Sequence, residues 1–270
     1  MTTEVRWGTE GAPATLRAHV PCGRPRTPAI LLVPGFAARR DAYDAVGRTL
    51  ASHGFLVVVP HMGASGLGAL VHTASIDEEA EVVARILAWL PTHAGSVLGV
   101  RVGVDDLALA GHSRGGKVCW RLLSRDPGAA RAVFLLDPVD GGGRFATLAS
   151  DTSSRHSFGG SVFVLGAGVE GPCAPPGKGH AAFAASAGDG AWHVVLDDVG
   201  HADFLDEPSA RLGALLCRGG ANRAEARRRV AGWMVAFFRE ALDGDGGSLA
   251  DHLRAEEVEG AAPRLLSPLR

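Results

Sequence analysis

No apolar run in the 270-residue chain approaches the roughly 20 residues of a membrane-spanning helix; Ala29–Val33 and Phe55–Val59 are strand-sized. The first residues, Met1–Gly8, lack the basic start and apolar core of a secretion signal. They also lack the Arg/Ser-rich, acid-poor character of a transit peptide. A soluble chain without a targeting segment is therefore expected. Charge of one sign is not in excess: 27 Lys and Arg face 29 Asp and Glu, a formal net charge of −2. That balance excludes the electrostatic footprint of a nucleic-acid binder. The arginine-rich stretch Arg223–Arg229 is local, contains Glu225, and reads as the solvated face of a late helix. Cysteine is scarce. Cys22, Cys119, Cys173 and Cys217 form no CxxC cluster, which argues against a zinc site, and their wide spacing in a large domain does not suggest a disulfide scaffold. Free, mostly buried thiols are the plainer reading. A Cys173–Cys217 bridge stays open, unsupported by spacing. No internal repeat is visible.

What is present is ordinary globular material: 46% hydrophobic and 21% charged residues, with 37 glycines that imply many turns. The length suits one large domain with a single core. Val5–Gly8 and Ala14–Val20 read as an antiparallel edge pair. Ala29–Val33, Phe55–Val59, Leu107–Ala110, Ala132–Leu136, Ser161–Leu165 and Trp192–Leu196 read as further strands. Helical spacing marks Asp41–His53, Ile76–Leu90, Gly116–Ser124 and Ala224–Leu242, and Ser75 with Glu78 fits a capping box. The alternation predicts an α/β domain, a mostly parallel central sheet with helices on both faces. Residues 1–243 make this domain, and 244–270 read as a tail with a short helix near Ser248–Glu257.

The strongest motif is Gly111-x-Ser113-x-Gly115, between the strand Leu107–Ala110 and a following helix. In that setting it is a nucleophile elbow: the serine sits on a sharp strand–helix turn, and the glycines avoid clashes there. The expectation is an α/β-hydrolase fold with Ser113 as nucleophile. The plainer alternative is a turn that only packs or holds an anion. A serine hydroxyl needs a base, itself oriented by a carboxylate, and this fold orders them serine, acid, histidine. His201 follows the last strand in a loop, where the fold delivers its base. His193 lies inside a strand and reads as packed; His156, His180 and His252 lie elsewhere. The acid stays open on position alone. Asp137 ends the strand Ala132–Leu136, Glu170 follows the next strand, and Asp140 is a third candidate. Two backbone N–H groups must hold the oxyanion. Arg114, after the nucleophile, supplies one, and Phe36 in Pro34-Gly35-Phe36-Ala37 the other.

Beyond the elbow, several segments resemble the chlorophyllases. They are Gly111-His112-Ser113-Arg114-Gly115-Gly116-Lys117, Asp137-Pro138-Val139-Asp140-Gly141, and Gly200-His201-x-Asp203-x-Leu205-Asp206. Ala51-Ser52-His53-Gly54-Phe55-Leu56-Val57-Val58-Val59-Pro60, the end Ala88-Trp89-Leu90, and Pro172-Cys173-Ala174-Pro175 with His180-x-x-Phe183 add to them. The likeness runs in order from about residue 14 to 242; Gly141–Gly160 falls outside any clear alignment. Pro34-Gly35-Phe36 with Ala51–Phe55 also looks like the cutinase-like polyesterases.

The chlorophyllase resemblance implies hydrolysis of chlorophyll to chlorophyllide and phytol by a Ser113–Asp137–His201 triad, and it selects Asp137 over Glu170. It implies a small amphipathic ester as partner and no metal or cofactor. Cytoplasm and plastid both stay open as the compartment, as does peripheral membrane contact. A phytyl ester and a flat macrocycle demand apolar surface near Ser113. Met62, Leu67, Leu70 and Val71 in the loop His61–Ser75 are the candidates. The competing readings are a broad carboxylesterase or polyesterase, and an inactive pigment- or lipid-binding module.

Overall fold

The structure, a computed structural model, describes residues 1–7, 14–62, 74–141, 151–244, 248–258 and 264–265. Runs without polar side chains become strands buried at every position, because helices cover both faces of a parallel sheet. In chain order the strands are Thr2–Trp7 (β1), Ala14–His19 (β2), Ala29–Val33 (β3), Leu56–Pro60 (β4), Leu107–His112 (β5), Ala132–Leu136 (β6), Ser161–Val169 (β7), Trp192–Gly200 (β8) and Arg264–Leu265 (β9). They form one sheet in the order β1-β2-β4-β3-β5-β6-β7-β8-β9. β3 to β8 pair in parallel. β1 with β2, β2 with β4, and β8 with β9 are antiparallel. This is the α/β-hydrolase fold.

The helices are Asp44–Ser52 (α1), Ile76–Leu98 (α2), Arg114–Arg125 (α3), His180–Ala187 (α4), Ser209–Cys217 (α5), Arg223–Phe238 (α6) and Ser248–Val258 (α7). Side chains alternate across each strand, so the sheet builds two cores. Leu31, Val58, Leu109 and Val133 pack with Val83 and Leu87 of α2 and Trp120 of α3. On the other face, Ile30, Val57, Phe134 and Phe163 pack with Leu50 of α1 and Trp233 and Phe237 of α6.

Four elements, α2, α4, α5 and β9, differ from the sequence reading. α2 does not stop at Leu90 but continues through Pro91 to Leu98. Ala94 and Leu98 prolong the buried stripe of Leu87 and Leu90, and that burial outweighs the roughly 3 kcal/mol a helical proline costs. α4 and α5 form where only connections were expected. In the late region the expected short helix forms as α7, with Leu249 and Leu253 buried in the second core, and β9, which was not expected, pairs with Val194 and Val195 of β8. The capping box forms as read, with Glu78 N–H donating to Ser75 Oγ at 3.2 Å and Ser75 N–H to Glu78 Oε2 at 2.7 Å.

Cys173 and Cys217 are bridged, their Cα atoms 5.1 Å apart, which ties the loop after β7 to the end of α5. A separation of 44 residues restricts the unfolded chain by about 4 kcal/mol in the chain-entropy account. Cys217→Ser is therefore expected to lower the unfolding free energy by about that amount. Urea titration under non-reducing conditions checks it. An unchanged midpoint would mean that the bridge does not form in solution.

Candidate active site

The loops at the carboxyl ends of the parallel strands converge on Ser113. It joins β5 to α3 with φ 54° and ψ −121°, a conformation that side-chain-bearing residues avoid. The surroundings hold it there. Ser113 N–H donates to Leu136 O at 3.0 Å, and Ser113 O accepts from Gly116 N–H at 3.0 Å and Val139 N–H at 3.3 Å. The flanking residues must be small. A Cβ on Gly111 would lie 2.6 Å from Gly115 O, and one on Gly115 would collide with Val33 O. The motif thus has a steric reason: α3 can approach β3 and β5 this closely only without side chains at 111 and 115.

Of the three candidate carboxylates, one reaches His201. Asp137 Oδ2 lies 2.6 Å from His201 Nδ1, and His201 Nε2 lies 2.9 Å from Ser113 Oγ. Asp137 is buried, with φ 39° at the end of β6, and its other oxygen accepts from Ala167 N–H of β7 at 3.1 Å. A carboxylate only accepts, so this arrangement puts the proton on His201 Nδ1 and turns Nε2, as acceptor, to the serine hydroxyl. Glu170, past the end of β7, is exposed. Asp140 is committed elsewhere, pairing with buried Lys117 at 2.9 Å and accepting from the N–H groups of Asp151 and Thr152 at 3.0 Å. His193 is buried beside His180, their rings joined at 2.8 Å. Asp203, next to the base loop, accepts from Gly200 and Gly220 N–H and pairs with Arg223. It braces the loop rather than the imidazole.

The loop after β3 abuts the serine. A Cβ on Gly35 would stand 3.2 Å from Ser113 Cβ and 3.1 Å from His112 Nδ1, a tight fit, so glycine favours the close approach of Pro34–Ala37. Phe36 and Arg114 line one small cleft with Met62, Glu79 and Val118. Arg114 opens α3, where first-turn N–H groups have no intrahelical acceptor. Its side chain turns away, Nε donating to buried Glu79 of α2 and Nη2 to Ala74 O, both at 2.8 Å. Met62 is half-buried at the cleft wall. Leu67, Leu70 and Val71 lie outside the described residues.

A second set of buried groups escapes a motif search because its members are far apart in sequence. Gly35 N–H donates to Tyr43 Oη at 2.9 Å, Tyr43 Oη lies 2.9 Å from His112 Nδ1, and His112 Nε2 lies 2.9 Å from His201 O. A carbonyl can only accept, so His112 donates from Nε2 and Tyr43 donates to Nδ1. The relay links the loop that carries Phe36 to the loop that carries His201. The only local hint was His112 itself, one residue before the nucleophile.

The relay requires a neutral His112. Burial, with His201 alongside, pushes its pKa down to about 3, and burial pushes that of His19 down to about 4. Unfolding returns both to about 6.5. Between those values the unfolded chain binds more protons, so their contribution to stability is complete above pH 6.5 and lost as the pH falls. The urea midpoint is expected to drop steadily from about pH 6.5 to pH 4. A midpoint that does not move across that interval would exclude a neutral, buried His112.

Comparison with known proteins accords with this geometry. The family model described as chlorophyllase matches residues 2–269. The chain is 29% identical over 261 residues to Chlorophyllase-2 of Arabidopsis thaliana, covering 88% of this chain and 80% of that one. It is 33% identical over 233 residues to Chlorophyllase-1, chloroplastic, of Citrus unshiu, covering 80% and 69%. Likeness to Cutinase est2 of Thermobifida alba is partial, 29% over 107 residues, 40% of this chain and 33% of the cutinase.

Proposed function

The chain belongs to the chlorophyllase family and is a carboxylic ester hydrolase, and we propose from that premise that it cleaves the phytyl ester of chlorophyll with Ser113, His201 and Asp137 as its catalytic residues. The observation that carries the proposal is the unbroken line Asp137 Oδ2–His201 Nδ1 and His201 Nε2–Ser113 Oγ, 2.6 and 2.9 Å.

In this reading His201 Nε2 takes the hydroxyl proton as Ser113 Oγ attacks the ester carbonyl carbon. The imidazolium that forms is stabilised by Asp137, already desolvated and held by Ala167 N–H. The carbonyl oxygen becomes an oxyanion, met by the N–H groups of Phe36 and Arg114. As the tetrahedral intermediate collapses, the C–O bond to phytol breaks and His201 returns the proton to the leaving alkoxide. Water then repeats the sequence on the acyl-enzyme and releases chlorophyllide. Phe36, Met62 and Val118 supply apolar surface against which the alkyl part of the ester would lie.

The partial cutinase likeness makes short-chain ester hydrolysis the alternative. Incubation with chlorophyll a in detergent, with chromatographic detection of chlorophyllide, separates the two. Chlorophyllide release that fails in Ser113→Ala is expected. Turnover of p-nitrophenyl butyrate without any chlorophyllide would assign the broader esterase instead.

A further inference from the structure

Helix α5 is amphipathic in the wrong sense for bulk water. Its buried positions hold the small residues Ala210 and Cys217, while Leu212, Leu215 and Leu216 are 64%, 83% and 73% exposed. Their i, i+3, i+4 spacing gathers the three leucines on one face. A contiguous apolar face of this kind marks contact with something other than water.

Its place in the fold is specific. α5 follows the loop of His201, at the carboxyl edge of the strands where Ser113 and Asp137 also lie. Gly213 rests on Ala202, the neighbour of His201, so closely that a Cβ would collide with it. The Cys173–Cys217 bridge fastens the other end of the helix to the loop after β7. The helix that carries the leucines is thus anchored against the loop of His201 at one contact and to the loop after β7 at its end. Phe36, 42% exposed next to Ser113, adds apolar surface on the same edge. The exposed Val97 and Val104 lie at the opposite edge, ahead of β5.

Charge narrows the choice of partner. Exposed Arg211 and Arg218 stand at the two ends of the leucine face. From Asp203 to Arg229 the chain has six arginines against four carboxylates, Arg223 and Arg227 pairing with Asp203 and Asp206, which leaves the region basic on balance. Apolar side chains bordered by guanidinium groups suit the boundary of a bilayer, with leucine among acyl chains and arginine at anionic headgroups. At nine residues α5 is too short to cross a bilayer and long enough to lie in its surface.

We propose that the leucine face of α5 docks the protein on an anionic lipid bilayer, so that a phytyl ester dissolved there reaches Ser113 without passing through water. The proposal rests on the phytyl-ester reading above for its purpose, and on the exposed leucines and arginines for its existence.

The test separates the two. Full-length Ser113→Ala protein is sedimented with vesicles of phosphatidylcholine alone and of equal parts phosphatidylcholine and phosphatidylglycerol, both free of pigment. Binding to the anionic vesicles is expected, weakened at least roughly tenfold by adding L212S, L215S and L216S together and roughly fivefold by R218A. The melting temperature should not fall in these variants, since the replaced side chains are exposed. Chlorophyllide release in detergent is scored independently, so failed chemistry leaves the docking result standing. Protein that stays in the supernatant, or serine variants that bind as well as their parent, would overturn the proposal. So would a dimer in analytical ultracentrifugation that the three serines dissociate, because the face would then belong to a second copy of this chain.

Discussion

Ser113→Ala is expected to reduce kcat for ester hydrolysis by roughly 10⁵- to 10⁶-fold, with little change in stability. Removing the oxygen removes the acyl-enzyme route, while the oxyanion donors and the cleft retain a small residual advantage over water. The fold has no reason to suffer. Among the described residues the hydroxyl bonds to His201, and the backbone bonds to Leu136, Gly116 and Val139 do not involve the side chain. Ser113→Gly sharpens the test. It should be equally inactive, yet more stable by about 1 kcal/mol, since glycine occupies φ 54° without the clash a Cβ makes. Stopped-flow hydrolysis of p-nitrophenyl butyrate and thermal melts of the three proteins give both numbers. Parent-like turnover by the alanine variant would take Ser113 out of the chemistry.

The second large effect distinguishes carboxylates that sequence position leaves open. Asp137→Asn is expected to cost about 10⁴-fold in kcat, because an amide at this site no longer holds His201 as the Nδ1–H tautomer and leaves an imidazolium unsupported. Its effect on folding should be small, as the amide keeps the shape and an oxygen for Ala167 N–H. Glu170→Gln should leave turnover unchanged, for that side chain stands in water beyond β7. Asp140→Asn should show the converse of Asp137→Asn. It touches neither His201 nor Ser113, but it strips buried Lys117 of its carboxylate partner at 2.9 Å. Uncompensated buried charge of this kind costs about 3 kcal/mol, at the low end because Asp151 stands 3.6 Å away. Matched measurements of kcat and urea midpoint on the three variants decide the assignment. A Glu170→Gln enzyme crippled in kcat would move the acid to the later strand.

Features legible in the sequence share one property: their signal lies within a few neighbouring residues. Five-residue apolar runs mark strands that no face of the protein leaves wet, as in Ala29–Val33 and Ala132–Leu136. Gly111, Ser113 and Gly115 between strand and helix mark a turn whose reason is steric, and the reason is visible in the contacts of the two glycines with β3 and each other. His201 is legible because chain order and a loop after the last strand suffice to find it. Local signals also mislead. Pro91 reads as a helix end, yet α2 passes through it, because the benefit of burying Ala94 and Leu98 is a tertiary quantity.

The amino-acid sequence by itself determined the fold class, the elbow serine, the histidine after the last strand and, by resemblance, the family. Position in the chain left the carboxylate open and the family resemblance selected Asp137; the tertiary structure supplies the physical reason, since Asp137 is the candidate that faces His201. Asp137, Asp140 and Glu170 all follow strand ends of the same sheet, but the turn at φ 39° aims Asp137 at His201 and the Ala167 N–H of the adjacent strand, while Lys117 holds Asp140. Only the tertiary structure decided the Cys173–Cys217 bridge, the Tyr43–His112 relay and the outward leucines of α5. Each depends on residues far apart in the chain, or on which side of a helix meets the core, and no local window of sequence carries that information.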